Sequence, residues 1–392
     1  MTEWNFDEVV DRADVPTLKW HNRVLGSNAS TLFAAGVADM DFRVAPCITE
    51  AMNRRLAHGV FGYEAVPDGL LPALIDWLDR RHNWRVDPVH ILRSPNVLNA
   101  LAMVLNTFTD EGAGVIIQPP VFFDFQDIIR ENGRRVVLNP LRLQENGYKM
   151  DFDGLEAVAR HPSTQMMFLC NPHNPVGRVW TRAELEQLGQ ICRRHGVLVV
   201  SDELHGDLTF AGHSYVPFAS LGEENSRNSV VCLSPAKSFN IASCCTAFTL
   251  VTDNHKRAAL QAENSRLTVN KNNAFSSVAM EAAYRGGGPW LDAAIAYLTG
   301  NCDLLRARIS GLELVNLVEP EGTFLAWLDF RRMELDTDQL TAFLREEAGW
   351  AITRGSAFGE EGAGFARLNF ACPRSRLASA LERLEAAVIS RS

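Results

Sequence analysis

Short apolar runs alternate with helix-period stretches along most of the 392 residues. Val115-Ile116-Ile117, Met166-Met167-Phe168-Leu169, Val197-Leu198-Val199-Val200 and Val230-Val231-Cys232-Leu233 are apolar at every position, the pattern of strands buried on both faces. Between the second and third of these, Thr181-Arg182-Ala183-Glu184 forms a capping box and predicts a helix running to about His195, with Gly196 as its stop. Asn96-Val97-Leu98 opens another helical stretch that reaches Phe108. Strand–helix–strand units of this kind predict an α/β fold with a mostly parallel sheet flanked by helices.

The texture changes after Trp290. A long helical stretch gives way to the apolar run Phe324 to Leu328, then to a helix predicted near Asp336 to Glu347 and a strand near Ala366 to Phe370. A last amphipathic helix carries Leu377, Leu381, Leu384 and Val388 at helical spacing. These elements predict a smaller α+β domain. The expected division is an N-terminal segment, 1–45, packing with the small domain, a large domain over 46–288, and the small domain over 289–392. No repeat, low-complexity tract or long linker interrupts the chain.

Hydrophobic residues make up 46% and charged residues 22%, enough to bury a large core and far from the composition of disorder. The net charge of −9, with no basic run, excludes a nucleic-acid or anionic-membrane footprint. No apolar stretch approaches the ~18 residues of a membrane span. The first residues are acidic where a signal peptide is basic, so a cytoplasmic location is expected. Eight cysteines without a CxxC pair predict reduced core thiols, with neither disulfides nor a metal site.

Only five lysines stand against 33 arginines, so any lysine in a local pattern invites scrutiny. Open α/β sheets bind ligands at the carboxyl ends of their strands. Polar groups follow three of the predicted strands in turn: Asn174 in Asn171-Pro172-His173-Asn174-Pro175-Val176-Gly177, Asp202 and Glu203 after Val200-Ser201, and Lys237 in Ser234-Pro235-Ala236-Lys237-Ser238-Phe239-Asn240. An amide, a carboxylate and an amine on one sheet edge suit pyridoxal 5'-phosphate, which needs a Schiff-base lysine, an anion at its pyridine nitrogen, a donor to its phenolate oxygen and a phosphate cradle. At about 3 Å and an effective dielectric near 20, a carboxylate stabilises a pyridinium by at most roughly 5 kcal/mol. The helix start at Asn96, Val97 and Leu98 offers amides to the phosphate, and Ser234 a hydroxyl.

Each signal alone is weak. A Ser-x-x-Lys pair also marks serine β-lactamases, whose partner motifs are absent here. A strand-end Asp is commonly a cap, and Asn-Pro a turn. Their order, each after a buried strand, outweighs those readings. The other lysines, Lys19, Lys149, Lys256 and Lys271, are expected to be solvated surface charges.

With these landmarks the chain resembles the fold type I aminotransferase superfamily, and within it the cystathionine β-lyase or carbon–sulfur β-lyase branch. Further matching stretches are Gly36 to Phe42, Phe61-Gly62-Tyr63, Ser201 to His205, Pro320 to Asp329, Gly355 to Gly359 and Arg367 to Phe370. The resemblance implies Lys237 as the Schiff-base lysine and catalytic base, Asp202 as the pyridinium partner and Asn174 as the donor to the phenolate oxygen. It implies Arg367 as the grip on the substrate α-carboxylate, with Ala38 lining the substrate site. Tyr63 is similar to a tyrosine that reaches the neighbouring subunit's cofactor phosphate, which implies a homodimer.

Departures sharpen the reading. Phe122, in Pro120-Val121-Phe122, replaces a common ring-stacking tyrosine, so stacking is kept and phenolic proton chemistry lost. His205 and Cys245 stand where aminotransferases often have a tyrosine and a phosphate-binding arginine. His205 completes the Asp-Glu-x-His form of the lyase branch and joins the cofactor site. Ser243 and Arg354 also depart from the branch pattern. The expected reaction is β-elimination of S-substituted L-cysteines to a thiol, pyruvate and ammonia. The alternatives are a class I/II aminotransferase, or a cofactor-containing regulatory protein acting through protein contact, since the stretch before Gly36 leaves no room for a DNA-binding helix-turn-helix.

Overall fold

The computed structural model describes residues 4–12, 15–21, 25, 31–145, 147–244, 246–269, 271 and 273–391. Its central sheet is built from β1 (Ile91–Ser94), β2 (Gly114–Ile117), β3 (Arg135–Leu138), β4 (Thr164–Cys170), β5 (Leu198–Asp202), β6 (Ser229–Leu233) and β7 (Ala247–Leu250). Their spatial order is β1-β7-β6-β5-β4-β2-β3. Strands β2 to β6 pair in parallel, and β7 runs antiparallel to both β6 and β1. Every residue of β2, β5 and β6 is buried, which is why Val115 to Ile117, Leu198 to Val200 and Val230 to Leu233 read as unbroken apolar runs.

Register places the site. Cys170 pairs with Asp202, and Asp202 with Cys232, so β4, β5 and β6 end level with one another. The polar loops that follow therefore leave from one edge. The helix between β4 and β5, Arg182–Arg194, starts at the expected capping box: the Thr181 hydroxyl accepts from the Glu184 amide at 3.3 Å, and the Glu184 carboxylate accepts from the Thr181 amide at 2.9 Å. Gly196 ends it at φ +70°, a left-handed conformation that glycine adopts without a Cβ clash.

The C-terminal part forms a four-stranded antiparallel sheet from β8 (Asn316–Val318), β9 (Leu325–Asp329), β10 (Thr353–Arg354) and β11 (Phe365–Asn369), in the order β8-β9-β11-β10. The helices Gly288–Ile309 and Arg374–Ile389 accompany it, the latter burying Leu377, Leu381, Leu384 and Val388 as its periodicity predicts. The expected single helix over 336–347 is broken. An α-helix spans Thr337–Ala342, and a π-helical turn, Phe343–Glu347, succeeds it. The wider turn buries Phe343, Leu344 and Ala348 together.

The N-terminal segment meets the small sheet's surroundings. Phe33–Ala34 pairs in parallel with Trp350–Ala351, Ala35 O accepts from the Asn369 amide at 2.9 Å, and the Asp41 amide donates to Ala371 O at 2.8 Å. Here one expectation fails. Lys19 is only 2% exposed, with Nζ 3.0 Å from Asp41 Oδ1 and 3.4 Å from Asp39 Oδ1, so two neighbouring carboxylates compensate its burial. Lys149 and Lys271 are exposed and Lys256 half-buried. The seven described cysteines are all free thiols. Among the described residues no cluster suited to a metal exists, and no helix is long and apolar enough to cross a membrane.

Candidate active site

Lys237 lies in the turn after β6, and its Nζ donates to Ala38 O at 2.7 Å. Asp202, the last residue of β5, is buried and accepts from the Leu204 amide at 3.2 Å. Burial raises its carboxyl pKa to about 6, against the opposing pull of the Leu204 N–H and of the nearby Lys237 ammonium. His205, one turn further on, is buried with Nδ1 unpartnered and its ring edge-on to Phe324 at 5.7 Å. Burial, with smaller repulsion from Lys237 and Arg367, pushes its pKa down to about 3. His205 is therefore a neutral imidazole at physiological pH.

Asn174, in the loop after β4, accepts from Arg367 Nη1 at 3.1 Å. Arg367 is carried in by β11, where it pairs with Trp327 on one side and Thr353 on the other. Its Nη2 donates to Gly36 O at 2.5 Å and its guanidinium lies 4.9 Å from the centre of the Phe358 ring. The group is 3% exposed, its Nε has no partner, and no carboxylate among the described residues forms an ion pair with it. Burial lowers its pKa to about 10, which still leaves it fully cationic at neutral pH. A buried cation without an anion is costly unless a ligand supplies one.

The remaining predicted residues stand around this cluster. Asn96 caps the helix Val97–Phe108, its Oδ1 accepting from the Asn99 amide at 2.8 Å. The first amides of that helix, at Val97 and Leu98, have no intrahelical acceptor. Ser234 donates to Thr246 O at 2.9 Å, so serving a phosphate requires its hydroxyl to rotate. Phe122 is half-buried and packs on Phe123 and Phe125, with ring centres 5.1 and 5.9 Å away. Tyr63 is fully exposed and does not join the cluster within its own chain. Ser243 and Arg354 are exposed, and Cys245 lies outside the described residues.

Several contributors were not singled out from sequence. The Asp124 carboxyl feels Lys237 electrostatically, although burial keeps its pKa above the usual range. His173 holds the loop carrying Phe122: its ring nitrogen Nε2 bonds to Pro120 O at 2.9 Å, and burial lowers its pKa to about 4. Thr353 donates to Gly36 O at 2.9 Å, beside Arg367. Of these, Asp124 had a readable signal, an acid two residues beyond the ring-stacking position.

The chemistry of this donor set fits pyridoxal phosphate with an amino acid. A buried carboxylate whose ionised form is disfavoured suits a cationic ring nitrogen, the orphaned His205 Nδ1 and the helix start suit further polar contacts, and the unpaired Arg367 suits a carboxylate. Sheet order and site together define a fold type I protein of the pyridoxal-phosphate class. The chain belongs to the aminotransferase class I and II family, whose model matches residues 31–384. It is 39% identical to the cystathionine beta-lyase PatB of Bacillus subtilis over 98% of this chain and 100% of that one. Protein MalY of Escherichia coli is 35% identical over 95% of this chain and 96% of its own. Cystalysin of Treponema denticola, whose crystal structure contains pyridoxal 5'-phosphate, superposes with a TM-score of 0.94 at 28% identity, covering 99% of this chain and 100% of that one.

Proposed function

We propose that this chain is a pyridoxal 5'-phosphate-dependent carbon–sulfur β-lyase that cleaves S-substituted L-cysteines to a thiol, pyruvate and ammonia. The observation that carries an amino-acid substrate is Arg367: a buried guanidinium without an anion, in the same cluster as Lys237 and Asp202. The likeness to PatB over the full chain and the histidine at position 205 favour the lyase over amino transfer.

When bound, the cofactor supplies an electron sink that makes the Cα proton acidic and lets sulfur leave from Cβ. Asp202 would face its ring nitrogen, Asn174 its phenolate oxygen, Phe122 its ring face, and Val97, Leu98 and Ser234 its phosphate. The Arg367 fork would hold the substrate carboxylate. Lys237 Nζ would take the Cα proton as a positioned general base. His205, neutral between Lys237 and Arg367, adds no competing charge.

L-Cystathionine without any keto acid should yield pyruvate and ammonia in equal amounts. Keto-acid-dependent amino transfer without pyruvate would overturn the lyase reading. Asp202→Asn should lower kcat by about 10²–10³-fold, as expected for loss of one preorganised electrostatic partner.

We also propose a homodimer. Tyr63 is fully exposed, and Leu56, Val60 and Phe61 beside it present apolar surface at 57%, 64% and 52% exposure. Tyr63→Phe should weaken cofactor binding by about tenfold or more, the worth of one hydrogen bond to a charged group, and sedimentation should show a dimer. The small domain is proposed to comprise 289–392 with the segment 1–45 packed on it, and the large domain 46–288, as the Phe33–Trp350 pairing supports. The free thiols support a cytoplasmic location.

A further inference from the structure

The segment 36–42 lies between the two sides of the site. Gly36 O accepts from Arg367 and Ala38 O from Lys237, so two carbonyls two residues apart touch both proposed functional cations. Asn369 Nδ2 donates to Val37 O at 2.7 Å and to Asp39 O at 2.6 Å, while Asn240 bonds the Met40 amide at 2.9 Å and the carbonyls of Met40 and Phe42 at 3.0 Å. Both asparagines fix the backbone. The side chains of Asp39 and Asp41 meet a pair of cations carried by the N-terminal segment.

Arg12 Nη2 lies 2.9 Å from Asp39 Oδ2 and Nη1 2.7 Å from Asp41 Oδ1. Lys19 Nζ reaches both carboxylates and donates also to Asp39 O at 3.3 Å. Two cations thus meet two anions, with Lys19 and Asp41 almost wholly buried. Breaking such a pair leaves an uncompensated charge inside the protein.

We propose that Lys19 and Arg12 are positioning residues, holding the segment 36–42 so that the Gly36 carbonyl orients Arg367 for the substrate carboxylate. This rests on the role proposed above for Arg367. The cluster acts on substrate binding through the backbone and touches neither substrate nor cofactor.

The test uses the full-length, cofactor-loaded protein. In Lys19→Met, amide hydrogen exchange over 36–42 should accelerate at least about tenfold without substrate, while β5 and β6 stay protected. KM for the amino acid should rise about tenfold or more with kcat changed by less than about threefold. Lys19→Arg, which keeps the charge, should restore both. If Lys19→Met does not fold, Asp39→Asn, at a half-buried carboxylate, takes its place with the same expected results. Unchanged exchange over 36–42 together with unchanged KM, in whichever variant folds, overturns the proposal even if melting temperature falls. Exchange is read without catalysis, so a wild-type protein that released no pyruvate would refute the lyase reading alone. The KM measurement would then use amino transfer.

Discussion

Lys237→Ala should abolish pyruvate release, lowering kcat by at least about 10⁴-fold, the upper range for a positioned proton-transfer group. The expected size follows from the surroundings. Among the residues of the cluster, His205 is held neutral but buried with its pKa near 3, too weak a base to collect a Cα proton at neutral pH. Asp202 is committed to the opposite end of the cofactor in the proposed arrangement, and Asp124 lies on the helix Asp124–Glu131, outside the Lys237–Ala38 contact. No second amine stands in: Lys19 is bound in its carboxylate pair, Lys256 donates to Arg227 O at 3.1 Å, and Lys149 and Lys271 are exposed. Stopped-flow absorbance of the bound cofactor after mixing with L-cystathionine should show binding without turnover. Residual elimination above one per cent of wild type would take the base role away from Lys237.

Arg367→Met should weaken kcat/KM for L-cystathionine by about 10²–10³-fold, mostly through KM, while raising thermal stability of the unliganded protein. The first effect is the loss of a bidentate, charge-assisted contact, worth roughly 2–5 kcal/mol in a buried site. The second follows from the burial of the charge. Burial lowers the Arg367 pKa to about 10, so the charged form is less favourable in the folded than in the unfolded chain. That penalty is present at every pH below the folded value and fades only as pH rises through it toward the unfolded value. It amounts to something on the order of 3 kcal/mol. Methionine removes the charge and keeps the volume, so the melting temperature should rise by a few degrees across pH 6–9. A non-reactive amino-acid analogue should stabilise the wild type and leave the variant unmoved. A variant that melts earlier than wild type while binding substrate normally would show that Arg367 serves the fold alone.

The sheet was legible because β2, β5 and β6 are buried on both faces, so Val115 to Ile117, Leu198 to Val200 and Val230 to Leu233 are apolar without a break. The cluster was legible for a related reason: in-register strand ends make residues that are 28 to 63 positions apart in sequence into neighbours, and Asn174, Asp202 and Lys237 each lie at or just after such an end. Lys19 was not, since burial of a charge depends on carboxylates twenty residues away and leaves no local pattern. The break at Phe343 was missed because apolar spacing reports which residues face the core and is blind to whether one turn widens to bring in two of them. Likewise His173 acts by proximity across loops, which periodicity does not record.

The neighbourhood of Asp202 at the strand ends is unusually poor in hydrogen-bond donors. Asp202 is flanked in register by Cys170 and Cys232, both buried, their thiols held protonated by burial and by the adjacent carboxylate. Sulfur is a feeble hydrogen-bond donor, so these neighbours do little to solvate the Asp202 charge. Serines in their place would stabilise the bare carboxylate and reduce what it gains from meeting a cation. With neighbours that solvate it so weakly, the Asp202 carboxylate has more to gain from meeting a cation than a strand-end acid set among hydroxyls.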